Sequence, residues 1–257
     1  MRKLRAVLHY SSGNGSSMTQ NSPSPHLFPK LSTRSLTAIG VFAALQAVVS
    51  MIPFSIAIGV NGSITLGVVT APLFGLLLGF GSGTIAVLVG SLVGLFINPS
   101  GAIFGFLTAV PPALAAFSAG SVRAGRGYLA GIIILLSVIV FYANPIGRES
   151  IFYPWLHIIA IILAFSPASK LAATYVNSTS LKKMTVGVAF AAFVGTLADQ
   201  AFGSALGIWI FSLPPSVWDL IMYVYPIERM VTVAIVTIVG VPIYKRLRIS
   251  GILRSIK

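Results

Sequence analysis

Only four carboxylates occur in the 257 residues, and one of them, Asp199, stands inside the apolar run 184–212 with Gln200 beside it. Ionised among hydrocarbon, such a group costs at least a few kcal/mol, so it must face protein, water or a ligand. There it could bind a polar ligand, carry a proton, or simply bond a neighbouring helix. Sixteen residues separate it from Lys183, which at 1.5 Å each places it about 24 Å along a core about 30 Å thick. Gly187, Ala191, Gly195, Asp199, Gly203 and Gly207 recur every four residues. Small residues at this spacing let helices approach closely. The repeat drifts about 40° per step, so only its middle members share a face. Asp199 is therefore expected on a packed surface. Structural bonding and substrate or proton handling both remain open for it.

Glu228 and Arg229 follow Pro226 at the start of the last apolar run. Proline and an acid both suit a helix N-terminus. The pair also falls near the depth where a ligand would meet the outer polar side chains. His157, beside Trp155, has no second ligand at helical spacing, so it reads as a packing residue rather than a metal ligand. Without cysteine, disulfides, thiolate metal sites and thiol nucleophiles are excluded. No P-loop, His-Glu-x-x-His or Gly-x-Ser-x-Gly pattern occurs, and Gly79 to Gly83 opens no Rossmann unit. No cofactor is implied and no enzyme is expected. Any uphill transport must draw on an ion gradient or a partner.

The elements that must position these residues are membrane helices. Hydrophobic residues make up 56% of the chain and charged residues 8%, with mean hydropathy +0.95. A soluble domain exposes far more charge. The basic excess of +13 lies between apolar runs, unlike the clustered face of a nucleic-acid binder. Eight runs, near 36–53, 64–80, 82–97, 101–119, 128–143, 151–169, 184–212 and 226–244, predict an all-α polytopic bundle of about eight transmembrane helices. A span needs about 20 residues, which leaves runs two, three and five marginal. Runs two and three could be half-helices of a re-entrant hairpin. Threading eight spans from a cytosolic N-terminus puts fifteen of the seventeen cations inside, as short basic loops require. Arg148 and Arg229 are the exceptions, each expected to pair locally with the adjacent acid, Glu149 and Glu228, which lowers the cost of that placement. Both termini are expected in the cytosol of a cell-membrane protein: a disordered basic tail over 1–35, the helical domain over 36–247, and a short basic tail over 248–257. The outward segments 54–63, 97–100, 144–150 and 213–225 hold Asn61, Asn98, Asn144, Trp218, Asp219, Tyr223 and Tyr225. These could equally form an ordinary aromatic belt.

Four stretches carry a family resemblance: Leu36 to Ala47, with alanines at 43 and 47; Ile64 to Phe96, through Pro72 and Gly79; Phe104 to Leu107 with Pro111 to Leu114; and Tyr225 to Arg229 running on to Leu247. Together they resemble the substrate-binding S component of energy-coupling factor (ECF) transporters, the vitamin importers. The resemblance implies binding of a vitamin-like small molecule on the outer side, and docking on a shared transmembrane coupling subunit driven by ATPase subunits. It assigns Ala43 and Ala47 to that docking face and residues 54–63 to a lid. Asp199, Gln200, Trp209, Glu228 and Arg229 become the expected ligand contacts, beside Asn61 and Asn98 of the outer loops. The family has six helices, so the pair at about 128–169 reads as an insertion. A solitary carrier or channel using Asp199 as a relay, and a purely structural membrane protein, are the alternatives.

Overall fold

Helix formation follows from the apolar runs, because in a bilayer every backbone N–H and C=O must be satisfied within the segment. The computed structural model describes residues 32–54 and 64–250. Asn61, most of the expected lid and most of both tails lie outside them. Ten α-helices follow in order: α1 (Thr33–Ser50), α2 (Gly67–Leu78), α3 (Phe80–Ile97), α4 (Val110–Arg123), α5 (Gly127–Ala143), α6 (Pro145–Glu149), α7 (Trp155–Phe165), α8 (Pro167–Val176), α9 (Leu181–Ile210) and α10 (Pro215–Ile249). Between α1 and α2, Pro53 and Phe54 pair antiparallel with Thr65 and Ile64.

Each expected run contains one main helix, with shifted boundaries. Helix α1 begins at Thr33 because Ser32 accepts from the Ser35 N–H, and α10 carries on through Arg248. Residues 213–225, expected as a loop, are helical from Pro215, a favoured first position. Pro226 therefore lies inside α10 rather than at its start. Run six breaks at Ser166, where α7 and α8 meet at 76°, and Ser166 caps the Ala168 N–H. Helix α8 thus occupies part of what reads as a loop.

Helices that touch reveal the path of the chain. Gly90 and Gly94 of α3 press on Ala43 and Ala47 of α1, so those two run parallel. Gly195 meets Ala115 of α4 while Gly207 nears Phe104, so α4 and α9 run antiparallel. Gly240 faces Val188 and Gly207 faces Trp218, which makes α9 and α10 antiparallel too. Direction alternates through α1, α2, α3, α4, α5, α7, α9 and α10. Five spans, including the segment Gly105–Arg123 that ends in α4, are long and apolar enough to cross a membrane. The bent α7–α8 pair makes up to six, while α2, with 12 residues, and α5, with 17, fall short by length.

The turn from α2 to α3 needs one residue at positive φ. Gly79, at φ 88°, supplies it without a Cβ penalty. Arg123 closes the same end by donating to the carbonyls of Leu76 and Leu77 at 2.6 and 2.9 Å, satisfying acceptors that α2 leaves open. Ten of the twelve α2 residues are buried. The core is alanine-rich where α4 meets α9, at Ala115, Ala116, Ala119, Ala191, Ala192 and Ala198. Leu36, Val41, Val48, Leu136, Ile139 and Ile162 instead point outward, each more than half exposed. In water such a surface would aggregate, whereas in lipid it is the favourable one.

Candidate functional site

The four-residue repeat of α9 distributes its small side chains as its drift requires. Gly187 lies against α8, Gly195 against α4 and α2, Gly207 near Trp218 of α10, and Gly203 meets nothing within 4 Å. Asp199 sits between these contacts, facing α10. Its Oδ2 accepts from Arg229 Nη1 at 2.8 Å, and both side chains are below 10% exposed. This is the one ion pair among the described residues. The expected pairing of Arg229 with Glu228 is corrected: Glu228 is half-buried one position earlier on α10, and Arg229 turns inward to α9. Arg148 likewise ignores Glu149 and donates to the carbonyls of Tyr142 and Ala143 at 3.1 and 3.0 Å.

Removing one member of a buried pair strands the other charge, at a cost of about 3–5 kcal/mol. Arg229 keeps one donor in reserve, since its Nε is buried without a partner. Thr196 Oγ1, close to one turn before Asp199, is also unpartnered.

Gln200 points to a different neighbour. Its Nε2 donates to Tyr153 Oη at 3.2 Å and to Ser204 Oγ at 3.4 Å, and those two hydroxyls bond each other at 2.6 Å. Tyr225 of α10 donates to the Tyr153 carbonyl at 3.0 Å and accepts from the Leu156 N–H at 3.4 Å. His157 Nδ1 lies 3.5 Å from the Tyr225 hydroxyl, while its Nε2 has no partner. Tyr153 stacks on Phe141 with ring centres 4.9 Å apart, and Trp218 stands edge-on to both at 5.1 Å, its Nε1 buried and unpaired. Helices α5, α7, α9 and α10 thus assemble an aromatic and hydroxyl cluster beside the ion pair. A cavity of only about 10 Å³ remains among Ser137, Phe141, Tyr153, His157 and Ser204, near the lower limit for one water.

Other expected contacts lie apart from this cluster. Trp209 is 54% exposed and donates to the Val140 carbonyl at 3.0 Å on the α5 side. Asn98 ends α3, its N–H bonded to the Gly94 carbonyl. Asn61 lies outside the described residues. Ala43 and Ala47 are buried, and a Cβ built on Gly90 would stand 2.3 Å from the Ala43 carbonyl oxygen. The strip that the resemblance assigns to a partner subunit is therefore occupied by α3 of the same chain.

Several participants escaped sequence reasoning. Tyr153 and Ser204 carry no local signal, since a Tyr near a helix end and a Ser in a small-residue helix are common. His157, expected as a satisfied packing residue, is buried in the aromatic cluster with its Nε2 unpartnered. A second polar cluster centres on Gln46, fully buried in α1. It accepts from Thr70 Oγ1 at 2.7 Å and donates to Ser91 Oγ at 3.3 Å and Ser50 Oγ at 3.2 Å. An amide in an apolar run was its available signal.

No solved structure matches this chain. A protein of Methanocaldococcus jannaschii described as uncharacterized is 32% identical over 166 residues, which is 65% of this chain and 54% of that protein. The chain thus spans about half the length of the curated relative it matches. A family model for the ECF-type riboflavin transporter S component matches residues 30–199. The match runs across the pair at 128–169 and stops at Asp199, short of α10. Proteins of this family are membrane-embedded transporter subunits and not enzymes. With about two thirds of its length matched, the chain belongs to the ECF-type riboflavin transporter S component family.

Proposed function

We propose that this protein is the substrate-binding subunit of a vitamin uptake system, taking riboflavin or a closely related flavin, with its site on the Asp199–Arg229 face of α9 and α10. The observation that carries the proposal is the buried 2.8 Å ion pair beside the Tyr153, Trp218 and Tyr225 cluster. A flavin is a flat ring system whose edge carries carbonyl and ring-nitrogen acceptors. Aromatic side chains accept its faces, and the spare Nε of Arg229 and Nε1 of Trp218 are donors suited to its edge. The residual space of about 10 Å³ is far below the 300–1,000 Å³ of a ligand pocket, so binding requires the outer parts of α7, α9 and α10 to separate. Glu228, half-buried on the same stretch of α10, becomes a further contact on that movement; Asn98 and Trp209 lie apart from the cluster and reach its mouth only through a shift of α3 and α5.

Transport energy comes from elsewhere, through a transmembrane coupling subunit and ATPase subunits, with the exposed outer face of α1 and its neighbours available for docking. Riboflavin fluorescence titrated with detergent-purified protein tests the substrate. Saturable quenching with one flavin per chain is expected, and no quenching up to millimolar vitamin refutes the assignment. Asp199→Asn separates the roles: loss of binding fits a ligand site, whereas retained binding with lost uptake fits a proton-coupled carrier.

A further inference from the structure

A second cavity lies at the other end of the same two helices. A groove of about 720 Å³ opens between the first turns of α9 and the last turns of α10, lined by Leu181, Thr185, Ile238 and Val241 with Lys245 and Arg246 among its lining residues. Its volume is that of a ligand pocket. Ile238 is 73% exposed, so this wall faces the surroundings of the bundle. Pro242, within the groove, has no N–H to give the Ile238 carbonyl, which leaves an acceptor free on the same surface.

The charges at this end are one-sided. Several other cations of this end are engaged: Arg123 with α2 carbonyls, Arg248 with the Ser178 carbonyl at 2.9 Å, Arg126 over the Phe80 ring and Lys183 over the Tyr175 ring, while Lys182, exposed in the first turn of α9, has no side-chain partner among the described residues and adds to the basic charge. The side chains of Lys245 and Arg246 have no hydrogen bond or ion pair among the described residues, and none of the four acids belongs to this end of the bundle. An apolar trough with two adjacent unneutralised cations complements a molecule with a hydrocarbon tail and an anionic head. Basic pockets between membrane helices hold such lipid headgroups.

We propose that the α9–α10 groove binds one anionic phospholipid, its acyl chain along Leu181, Ile238 and Val241 and its phosphate at Lys245 and Arg246. The lipid would brace α10 against α9 at the end opposite the Asp199–Arg229 pair. The proposal depends on membrane embedding and not on the identity of the vitamin.

The test uses delipidated full-length protein, with phosphatidylglycerol and phosphatidylcholine as probes, read by native mass spectrometry and thermal unfolding. Phosphatidylglycerol should bind one per chain at high affinity and raise Tm, with phosphatidylcholine doing neither. With about 1 kcal/mol per cation, Lys245→Gln with Arg246→Gln should weaken binding roughly thirtyfold. Ile238→Trp, which fills the trough and keeps the charges, should abolish the tight adduct, and Lys170→Gln, which removes a cation outside the groove, should leave it intact. Equal binding of the two lipids, an adduct that survives the double variant, or equal weakening by Lys170→Gln overturns the proposal. So does a protein chain, rather than a lipid, crosslinking to a cysteine placed at Ile238.

Discussion

Among single residues, Asp199 and Arg229 form a buried ion pair at the centre of the proposed site, and its structural and binding roles separate by experiment. Asp199→Leu or Arg229→Met alone leaves an uncompensated buried charge and should destabilise the protein by about 3–5 kcal/mol in thermal or denaturant unfolding. The double variant removes both charges, so it should recover most of that stability while failing to bind ligand. Double-variant stability as poor as the singles would mean that the pair contributes more than charge neutralisation. Tyr225→Phe deletes one donor to the Tyr153 carbonyl and should cost about 1 kcal/mol, with a larger loss in ligand affinity than in Tm if Tyr153 orients the ligand.

At the scale of helices, the close seam between α1 and α3 makes a distinct prediction. The Cβ positions at Gly90 and Gly94 leave 2.3 and 3.1 Å to carbonyls of α1, so no added methylene fits without moving backbone. Ala43→Leu should therefore lower Tm of the isolated protein, with an overpacking cost of about 1–3 kcal/mol and no partner subunit present. Unchanged Tm alongside lost assembly would instead return Ala43 to a docking role. The same seam shows what the sequence could tell. The Ala43–Ala47 spacing marked a close helix contact, but spacing alone names no neighbour, and the glycines that complete it, Gly90 and Gly94, each lie 47 residues further along the chain. The helical class was legible because apolar runs in lipid have few other solutions. The start of α10 was not, since Pro226 looks like a helix-opening residue until Pro214 and Pro215 are seen to open it earlier. Asp199 was legible as a packed carboxylate, whereas its partner was misread as bonding the adjacent Glu228 because sequence adjacency hides the 100° turn between neighbours on a helix.

For the whole molecule, alternating helix direction gathers Arg123, Arg126, Lys182, Lys183, Lys245, Arg246 and Arg248 at one end and leaves Glu149 and Asp219 at the other. If the basic end is cytosolic, Glu149→Cys should label with a membrane-impermeant maleimide from outside intact cells, and Thr179→Cys only after permeabilisation. Labelling of both from one side would contradict a crossing by the α7–α8 segment. Helix α10, at 35 residues, is about 52 Å long and exceeds a 30 Å core, so it extends past the hydrocarbon or tilts within it. A flavin site at the buried pair and the tight aromatic cluster, as proposed, requires the bundle to open at that end to load. Native mass spectrometry of protein gently extracted from its own membranes tests this most directly. The account predicts one flavin per wild-type chain and none on the stable Asp199→Leu, Arg229→Met variant; equal flavin occupancy on both proteins would contradict it.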